Sequence, residues 1–169
     1  MAEAMDWLET TVRACPFCGY DAAAVPREVV ASEFERLAGS WTELLGVESA
    51  LRERGDGWSA LEYACHTRDV LRVFAGRVDA LRSGEPIGWW DHEAAVVDER
   101  YNEQDPAAVA EELRAAASAI GDATRRVAAS EWELAAERRP GEVFSIDALV
   151  RFAQHEAFHH HGDALAALR

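Results

Sequence analysis

The sequence contains no lysine, so all 17 of its basic residues are arginine, against 31 aspartate and glutamate residues. The formal net charge is therefore −14. A nucleic-acid-binding protein needs a basic face that neutralises phosphates, and a polybasic membrane-surface protein needs clustered cations. The composition predicts neither a nucleic-acid partner nor a membrane partner.

Long apolar runs are also missing, because no segment approaches the roughly 18 residues of a transmembrane helix. The N-terminal segment 1–10 carries three acidic residues and no basic one, unlike the start of a signal peptide. Three cysteines are too few, and odd in number, for the disulfide framework of a secreted protein. We therefore expect a cytoplasmic protein.

No segment shows a convincing period-two alternation, so no strand is predicted. Apolar residues instead recur at steps of three or four in several segments, as on amphipathic helices. We predict an all-α protein, with an irregular segment over 1–25 and a four-helix bundle over 26–169. Helices of this length bury their apolar stripes in an antiparallel or crossover bundle.

Capping signals locate the four predicted helices. The first begins near Pro26, carries a stripe from Phe34 to Glu48, and ends at 55–57. A capping box of Ser59 and Glu62 starts the second, which ends near 82. A long connection over 84–105 precedes the third, from the Asp105 cap to about 129. The fourth follows Ser145 and continues nearly to 169.

Four of the six histidines crowd the last predicted helix. His155 and His159 are one turn apart on one face, a spacing that suits two ligands of one metal ion. His66 should point inward and is the best candidate for a third ligand. His92 is a weaker candidate because it lies in the predicted connection over 84–105. Neutral imidazole favours zinc, nickel, copper or iron. Ordinary core or surface histidines are the alternative.

Several other polar and aromatic residues have a structural interpretation beside a functional one. Three acidic residues lie one turn from predicted ligands and could orient them: Glu62, Asp69 and Asp163. The helix cap already accounts for Glu62, and a solvated helix face is the alternative for Asp69 and Asp163. Arg68 could bind a carboxylate of a ligand or form a surface salt bridge. Four tryptophans either line a pocket beside the metal or pack the ends of the bundle: Trp58, Trp89, Trp90 and Trp132.

The cysteines leave several interpretations open. Cys15 and Cys18 form a C-x-x-C pair that is either an ordinary turn, a redox pair, or half of a zinc site completed by another Cys or His or by a second subunit. Cys65 precedes His66 and is expected to pack in the core. The stretch from His155 to His159 also matches the H-E-x-x-H pattern of zinc proteases, with Glu156 as general base.

Two stretches resemble one known family. Residues 57–69, Gly-Trp-Ser-Ala-Leu-Glu-Tyr-Ala-Cys-His-Thr-Arg-Asp, resemble the start of the second helix of DinB-like proteins, and His155-Glu156-Ala157-Phe158-His159-His160 resembles their last helix. This superfamily includes the mycothiol-dependent maleylpyruvate isomerase N-domain and the bacillithiol transferases. The resemblance implies a four-helix bundle, often dimeric, with a divalent metal, zinc or nickel, on His66, His155 and His159.

Three functions remain open from the sequence. The resemblance favours a metal-dependent S-transferase that moves a low-molecular-weight thiol onto a small electrophile. The arginine bias is typical of a GC-rich genome such as an actinobacterium's, which makes mycothiol the expected thiol. A metal-dependent hydrolase or self-resistance protein, and a non-enzymatic metal-binding bundle linked to stress, are the alternatives. We expect a homodimer that binds a small-molecule substrate, and the sequence assigns no catalytic residue.

Overall fold

A computed structural model describes residues 6–47 and 49–169, without the side chain of Val47. Glu48 and the first five residues, which the sequence analysis used, lie outside the described residues. The helices and strands run in this order: a 3-10 turn at Trp7–Thr11, another at Ala22–Ala24, α1 Val30–Val47, α2 Ala60–Ser83, α3 His92–Asp98, a 3-10 turn at Tyr101–Glu103, α4 Pro106–Arg125, β1 Ala135–Arg139, β2 Glu142–Ser145 and α5 Ile146–Ala167.

Helices α1, α2, α4 and α5 form a four-helix bundle, as the sequence predicts. Helix α2 packs against α4 and α5, and α1 packs against the same two helices, so α1 and α2 occupy opposite corners. The buried Trp41 indole on α1 donates a hydrogen bond to the carbonyl of Ala157 on α5, at 3.0 Å. No helix in the described part of the chain is long and apolar enough to cross a membrane.

The predicted helix starts are accurate where a side chain caps the helix. Ser59 accepts a hydrogen bond from the Glu62 amide at 3.1 Å, and the Glu62 carboxylate accepts one from the Ser59 amide at 2.8 Å. Asp105 and Ser145 cap α4 and α5. The predicted ends of the first and third helices are too late, since α1 ends at Val47 and α4 at Arg125.

The prediction that the chain contains no strand is wrong. Strands β1 and β2 form an antiparallel hairpin in which Ala136 lies opposite Phe144. Gly141 makes the turn with a φ of 83°, which glycine adopts without strain. The sequence Ala-Ala-Glu-Arg-Arg of β1 has low strand propensity, so tertiary packing stabilises the hairpin. Phe144 is fully buried and meets the Phe152 ring on α5 edge-on, with centroids 5.7 Å apart.

Two segments outside the bundle lie close to α5 and α2. Residues 6–25 contain the first two 3-10 turns, and both turns pack against α5. The Arg151 guanidinium on α5 donates hydrogen bonds to the carbonyls of Ala22 and Val25. The predicted long connection over 84–105 carries α3 and the 3-10 turn at Tyr101–Glu103, both of which contact α2.

We expect the substitution Ser59→Ala to lower the free energy of unfolding by about 1–2 kcal/mol. It removes the acceptor for the buried Glu62 amide and a partly buried 2.6 Å hydrogen bond with Asn102. Urea denaturation followed by circular dichroism measures the change. Ser32→Ala, at an exposed serine near the start of α1, is the matched control. Equal stability of the two variants would contradict the importance of this cap.

Candidate metal centres

Two faces of α5 carry metal-ligating side chains. His155 and His159 are separated by one turn, and so are Glu156 and His160. Because successive residues of a helix are rotated by about 100°, the second pair faces a different direction from the first. The two pairs therefore meet different neighbours.

Glu156 and His160 face α2, where they meet His66. The Glu156 Oε2 atom lies 3.6 Å from His66 Nε2 and 3.3 Å from His160 Nε2. One ligand atom from each of the three side chains lies within 4.8 Å of the others. We call His66, Glu156 and His160 the histidine–glutamate cluster. A second carboxylate, of Asp163, holds the opposite ring nitrogen of His160 at 2.9 Å.

Burial and charge act against each other in the histidine–glutamate cluster. Burial raises the pKa of Glu156, but the neighbouring histidines, His160 above all, outweigh it and hold the pKa well below its usual range. Burial lowers the pKa of His66, whose Nδ1 has no hydrogen-bond partner among the described residues. Burial also acts to lower the pKa of His160, yet Glu156 and Asp163 raise it to about 9. A cation at this position would meet a carboxylate that is already ionised.

His155 and His159 face the N-terminal segment, where they meet Cys15 and Cys18. One ligand atom from each of the four side chains lies within 4.8 Å of the others. The Cys15 Sγ atom is 3.8 Å from His159 Nδ1. We call these four residues the cysteine–histidine cluster. His155 is fully buried, and neither of its ring nitrogens has a hydrogen-bond partner among the described residues.

The two thiols of the cysteine–histidine cluster differ in acidity. Burial raises the pKa of Cys15, but hydrogen bonds from the backbone of Cys18 and Phe17, together with the neighbouring His155 ring, outweigh it and lower the pKa. Burial and the neighbouring Cys15 raise the pKa of Cys18 to about 11. Both cysteines are free thiols in the structure.

The predicted ligand set of His66, His155 and His159 is divided between these two clusters. The structure brings His155 and His159 together, with ring centroids 5.1 Å apart, but groups His66 with Glu156 and His160. Glu156 and His160 have the same spacing as His155 and His159, but neither is in the predicted ligand set. The H-E-x-x-H histidines face two thiols, and four protein ligands at one ion would leave no open position for the water that a zinc protease needs.

A cavity of about 530 Å³ opens beside the histidine–glutamate cluster. Its wall contains all three side chains of that cluster, His92 of α3 and several aromatic rings. The Trp58 ring lies 5.1 Å and the His92 ring 5.5 Å from the His66 ring. The pocket interpretation therefore fits Trp58, Trp89 and Trp90, which line the cavity.

A buried cation also lines this cavity. Arg77 is 5% exposed, and its Nη1 has no hydrogen-bond partner among the described residues. Its Nη2 donates a hydrogen bond to the carbonyl of Gly88 at 2.7 Å. Burial and the nearby Arg138 lower the pKa of Arg77 to about 10. The guanidinium therefore stays charged at neutral pH while one of its donors is unused.

Several predicted site residues have structural roles elsewhere. Glu62 is occupied by the helix cap and by Arg54. Cys65 is buried and lies 3.7 Å from the carbonyl of Tyr101. Trp132 is buried under the Arg27 guanidinium, outside the cavity wall. The acid predicted to orient a ligand, Asp163, does contact two histidines, His160 and His159.

Arg68, which is buried, and Asp69, which is partly buried, form an ion pair instead of a surface or ligand contact. The Arg68 guanidinium binds both oxygens of Asp69 at 2.8 Å and Glu112 at 2.8 Å. The Tyr101 hydroxyl donates to Asp69 at 2.6 Å. Burial raises the pKa of Asp69, but Arg68 and Tyr101 outweigh it and the pKa lies below its usual value.

Comparison with known proteins agrees with this architecture. A model described as the DinB superfamily matches residues 26–164. The structure of YfiT from Bacillus subtilis, described as a probable metal-dependent hydrolase with an unusual four-helix bundle topology, superposes with a TM-score of 0.73 at 15% identity, over 84% of this chain and 85% of that one. The mycothiol-dependent maleylpyruvate isomerase superposes with a TM-score of 0.68 at 11% identity, over 85% of this chain and 62% of that one. No curated protein matches the sequence significantly.

We expect Asp69→Asn to destabilise the fold without changing metal binding. Removing the acceptor charge leaves Arg68 buried and partly unpaired, at a cost of about 2–4 kcal/mol near neutral pH. Because the folded pKa of Asp69 is depressed, its contribution is present above about pH 4 and is lost as the pH falls below it. Urea denaturation at pH 7 and pH 3.5, with metal analysis, measures both effects.

The control for this substitution is Asp79→Asn on the same helix. Asp79 forms an exposed ion pair with Arg126, so its loss should change stability by less than about 1 kcal/mol. An Asp69→Asn variant as stable as the Asp79→Asn variant, or one that loses bound metal, would contradict the structural role of Asp69.

Proposed function

The chain belongs to the DinB superfamily, and from that membership and the histidine–glutamate cluster we propose that it is a divalent-metal-dependent enzyme acting on a small molecule. The observation that carries the proposal is the meeting of His66, Glu156 and His160 at the wall of a 530 Å³ cavity. Three protein ligands leave a coordination position for a ligand from the cavity, which is the arrangement of catalytic metal sites.

The donor set fits a divalent ion. Two imidazoles and one carboxylate also form the zinc site of several hydrolases, and zinc and nickel both accept these ligands. Asp163 holds Nδ1 of His160, as a carboxylate usually holds the second nitrogen of a zinc-bound histidine, and Nε2 of both His160 and His66 faces Glu156. The assignment of His155 and His159 to the same ion as His66 stays a prediction, which the variants below also test.

The reaction that we propose is the transfer of a low-molecular-weight thiol, of the mycothiol type, to an electrophile. A divalent ion bound at this site would lower the pKa of a coordinated thiol and so supply a nucleophile at neutral pH. Trp58 and Trp90 flank His66 and would exclude water from the reacting groups. The mycothiol-dependent isomerase of similar fold supports this choice.

The atoms of this reaction balance without a redox partner. The thiol sulfur forms the new S–C bond, and the thiol proton passes to a base. In an addition, a π bond of the electrophile breaks and the atom that receives its electron pair takes up the proton. In a substitution, the bond from carbon to a leaving group breaks and the group departs with the electron pair. We propose His92 as the proton acceptor, because it lines the same cavity and its ring lies 5.5 Å from that of His66.

Hydrolysis is the second candidate. The similar fold of the probable metal-dependent hydrolase favours it, and His92 could equally accept a proton from water. The two reactions differ in their need for a thiol. Turnover of a model electrophile only in the presence of mycothiol supports S-transfer, and thiol-independent turnover supports hydrolysis. Metal binding without either turnover would favour the non-enzymatic bundle.

We expect His66→Ala and His160→Ala each to abolish one divalent-ion site. Because Trp58 lies 5.1 Å from His66, binding of Ni²⁺ to the metal-stripped protein should quench tryptophan fluorescence. The expected result is a saturable titration in the wild type, from which the quenching that belongs to this site is lost in both variants. Any quenching by Ni²⁺ at the cysteine–histidine cluster, next to Trp7, should stay the same in all three proteins. His161→Ala is the control, since His161 packs on Trp41 away from both clusters.

The same titration separates the possible ligand sets. Glu156→Gln should weaken Ni²⁺ binding by about tenfold or more, because the carboxylate is a direct ligand. If His160→Ala and Glu156→Gln bind normally while His155→Ala and His159→Ala abolish quenching, the ion belongs to the predicted set of His66, His155 and His159. No Ni²⁺ or Zn²⁺ binding by the wild type would overturn the proposed function.

Arg77 indicates that a substrate or thiol of this enzyme carries an anionic group. A buried guanidinium with an unused donor in a cavity is suited to a carboxylate. We expect Arg77→Met to raise KM for an anionic electrophile by about tenfold and to leave a neutral one nearly unchanged. Arg139→Met is the control, because Arg139 lines the cavity but pairs with Glu142. Equal effects on both electrophiles would contradict this role.

The homodimer and the cytoplasmic location stay predictions. Sedimentation of the purified chain measures the first of these. The proposed partner is in either case a small molecule in the cavity of one chain, since the histidine–glutamate cluster and its cavity are built from a single copy.

A further inference from the structure

The cysteine–histidine cluster has the ligand types and the spacings of a structural zinc site. Cys15 and Cys18 form C-x₂-C, and His155 and His159 form H-x₃-H. Structural zinc sites commonly have four Cys and His ligands in pairs of this spacing. We propose that these four side chains bind one zinc ion, separate from the histidine–glutamate cluster, and that this ion fastens the N-terminal segment 6–25 to α5.

The distances in the cluster are those of a site with room for an ion. A sulfur and a nitrogen bound to one tetrahedral zinc, at about 2.3 and 2.05 Å, lie about 3.6 Å apart. The Cys15 Sγ to His159 Nδ1 distance is 3.8 Å, and the four ligand atoms all lie within 4.8 Å of one another. Small side-chain adjustments are therefore enough to coordinate zinc.

His155 independently indicates a missing partner. Its side chain is fully buried, and neither ring nitrogen has a hydrogen bond within the described residues. Buried polar atoms in folded proteins nearly always have a partner, and an unsatisfied one is costly. A metal bond to one nitrogen removes this cost.

Carboxylates lie behind both histidines of the cluster. Asp163 Oδ2 is 3.5 Å from His159 Nε2, on the side of the ring opposite the atom that faces Cys15. Glu156 Oε1 is 3.5 Å from His155 Nδ1. Zinc-binding histidines usually direct their second nitrogen to a carboxylate or carbonyl, which orients the ring. The cluster thus also has the surroundings of a zinc site.

The loop that carries the two cysteines is already closed into a turn. The Cys15 amide donates to the Tyr20 carbonyl at 2.9 Å, and the Gly19 amide donates to the Cys15 carbonyl at 2.9 Å. Gly19 has a φ of 73°, which favours glycine. This turn directs both sulfurs to α5, and two thiolates would neutralise the charge of a buried zinc ion.

The position of this site explains what the ion would stabilise. The Trp7 ring covers the cluster, with centroids 5.9 Å from His155 and 5.5 Å from His159. Trp7 and its neighbours Asp6 and Leu8 also line the cavity beside the histidine–glutamate cluster. Zinc at the cysteine–histidine cluster would therefore fix one wall of the proposed active site, to which its ligand His159 also contributes.

The test replaces zinc by Co²⁺ in the full-length wild-type protein. Two thiolate ligands in a tetrahedral site produce thiolate-to-cobalt charge-transfer absorption and intense visible bands, which a site of imidazoles and carboxylate lacks. We expect these bands in the wild type, in His66→Ala and in His160→Ala, and their loss in Cys15→Ser and Cys18→Ser. His161→Gln and Cys65→Ala are the matched controls and should keep them.

Zinc content and hydrogen exchange complete the test. After dialysis against a mild chelator, we expect the wild type to keep one zinc ion per chain and Cys18→Ser to keep none. Amide exchange over residues 6–25 should accelerate in Cys18→Ser and upon zinc removal. A wild-type Co²⁺ spectrum without thiolate bands would overturn the proposal. So would a wild-type protein with a Cys15–Cys18 disulfide that binds as much zinc as the reduced protein. A wild-type protein that shows the thiolate bands but binds no Ni²⁺ at the histidine–glutamate cluster would overturn only the proposed function.

Discussion

The carboxylate of Glu156 connects the cysteine–histidine cluster with the histidine–glutamate cluster, because its two oxygens face different ones. Oε1 is 3.5 Å from His155 of the cysteine–histidine cluster, whereas Oε2 is 3.3 Å from His160 and 3.6 Å from His66. An ionised carboxylate inside a protein must be paired. The three imidazoles around Glu156 supply that pairing and hold its pKa well below the usual range.

Helix α5 therefore both carries ligands of the proposed active site and lines its cavity. One face of α5 contacts the cysteine-containing turn, and the next face contacts α2 and the cavity. The hairpin contributes Phe144 to the same core and brings Arg138 and Arg139 to the cavity wall. Cations, aromatic rings and a histidine-rich floor thus meet at one end of the bundle, which suits a small anionic or aromatic ligand.

Much of the fold could be predicted because its signals are local. The capping box at Ser59, the Asp105 cap before Pro106 and the helical periodicity depend on residues within one or two turns of each other. The hairpin could not be predicted from the sequence because β1 lacks strand-forming residues. The hairpin instead depends on the contact between Phe144 and Phe152. No signal within residues 135–145 reports that contact.

The candidate site was only partly predictable for a related reason. Sequence spacing identifies pairs on one helical face, but His155 with His159 and Glu156 with His160 have the same spacing. Only the position of α2 decides which pair meets His66, and only the path of the N-terminal segment brings Cys15 to His159.

Anomalous X-ray scattering from crystals of the zinc-loaded protein tests this division of the ligands between two sites most directly. Our account predicts two zinc peaks per chain, one among the cysteine–histidine cluster and one among the histidine–glutamate cluster. A single peak bound by His66, His155 and His159 would contradict it.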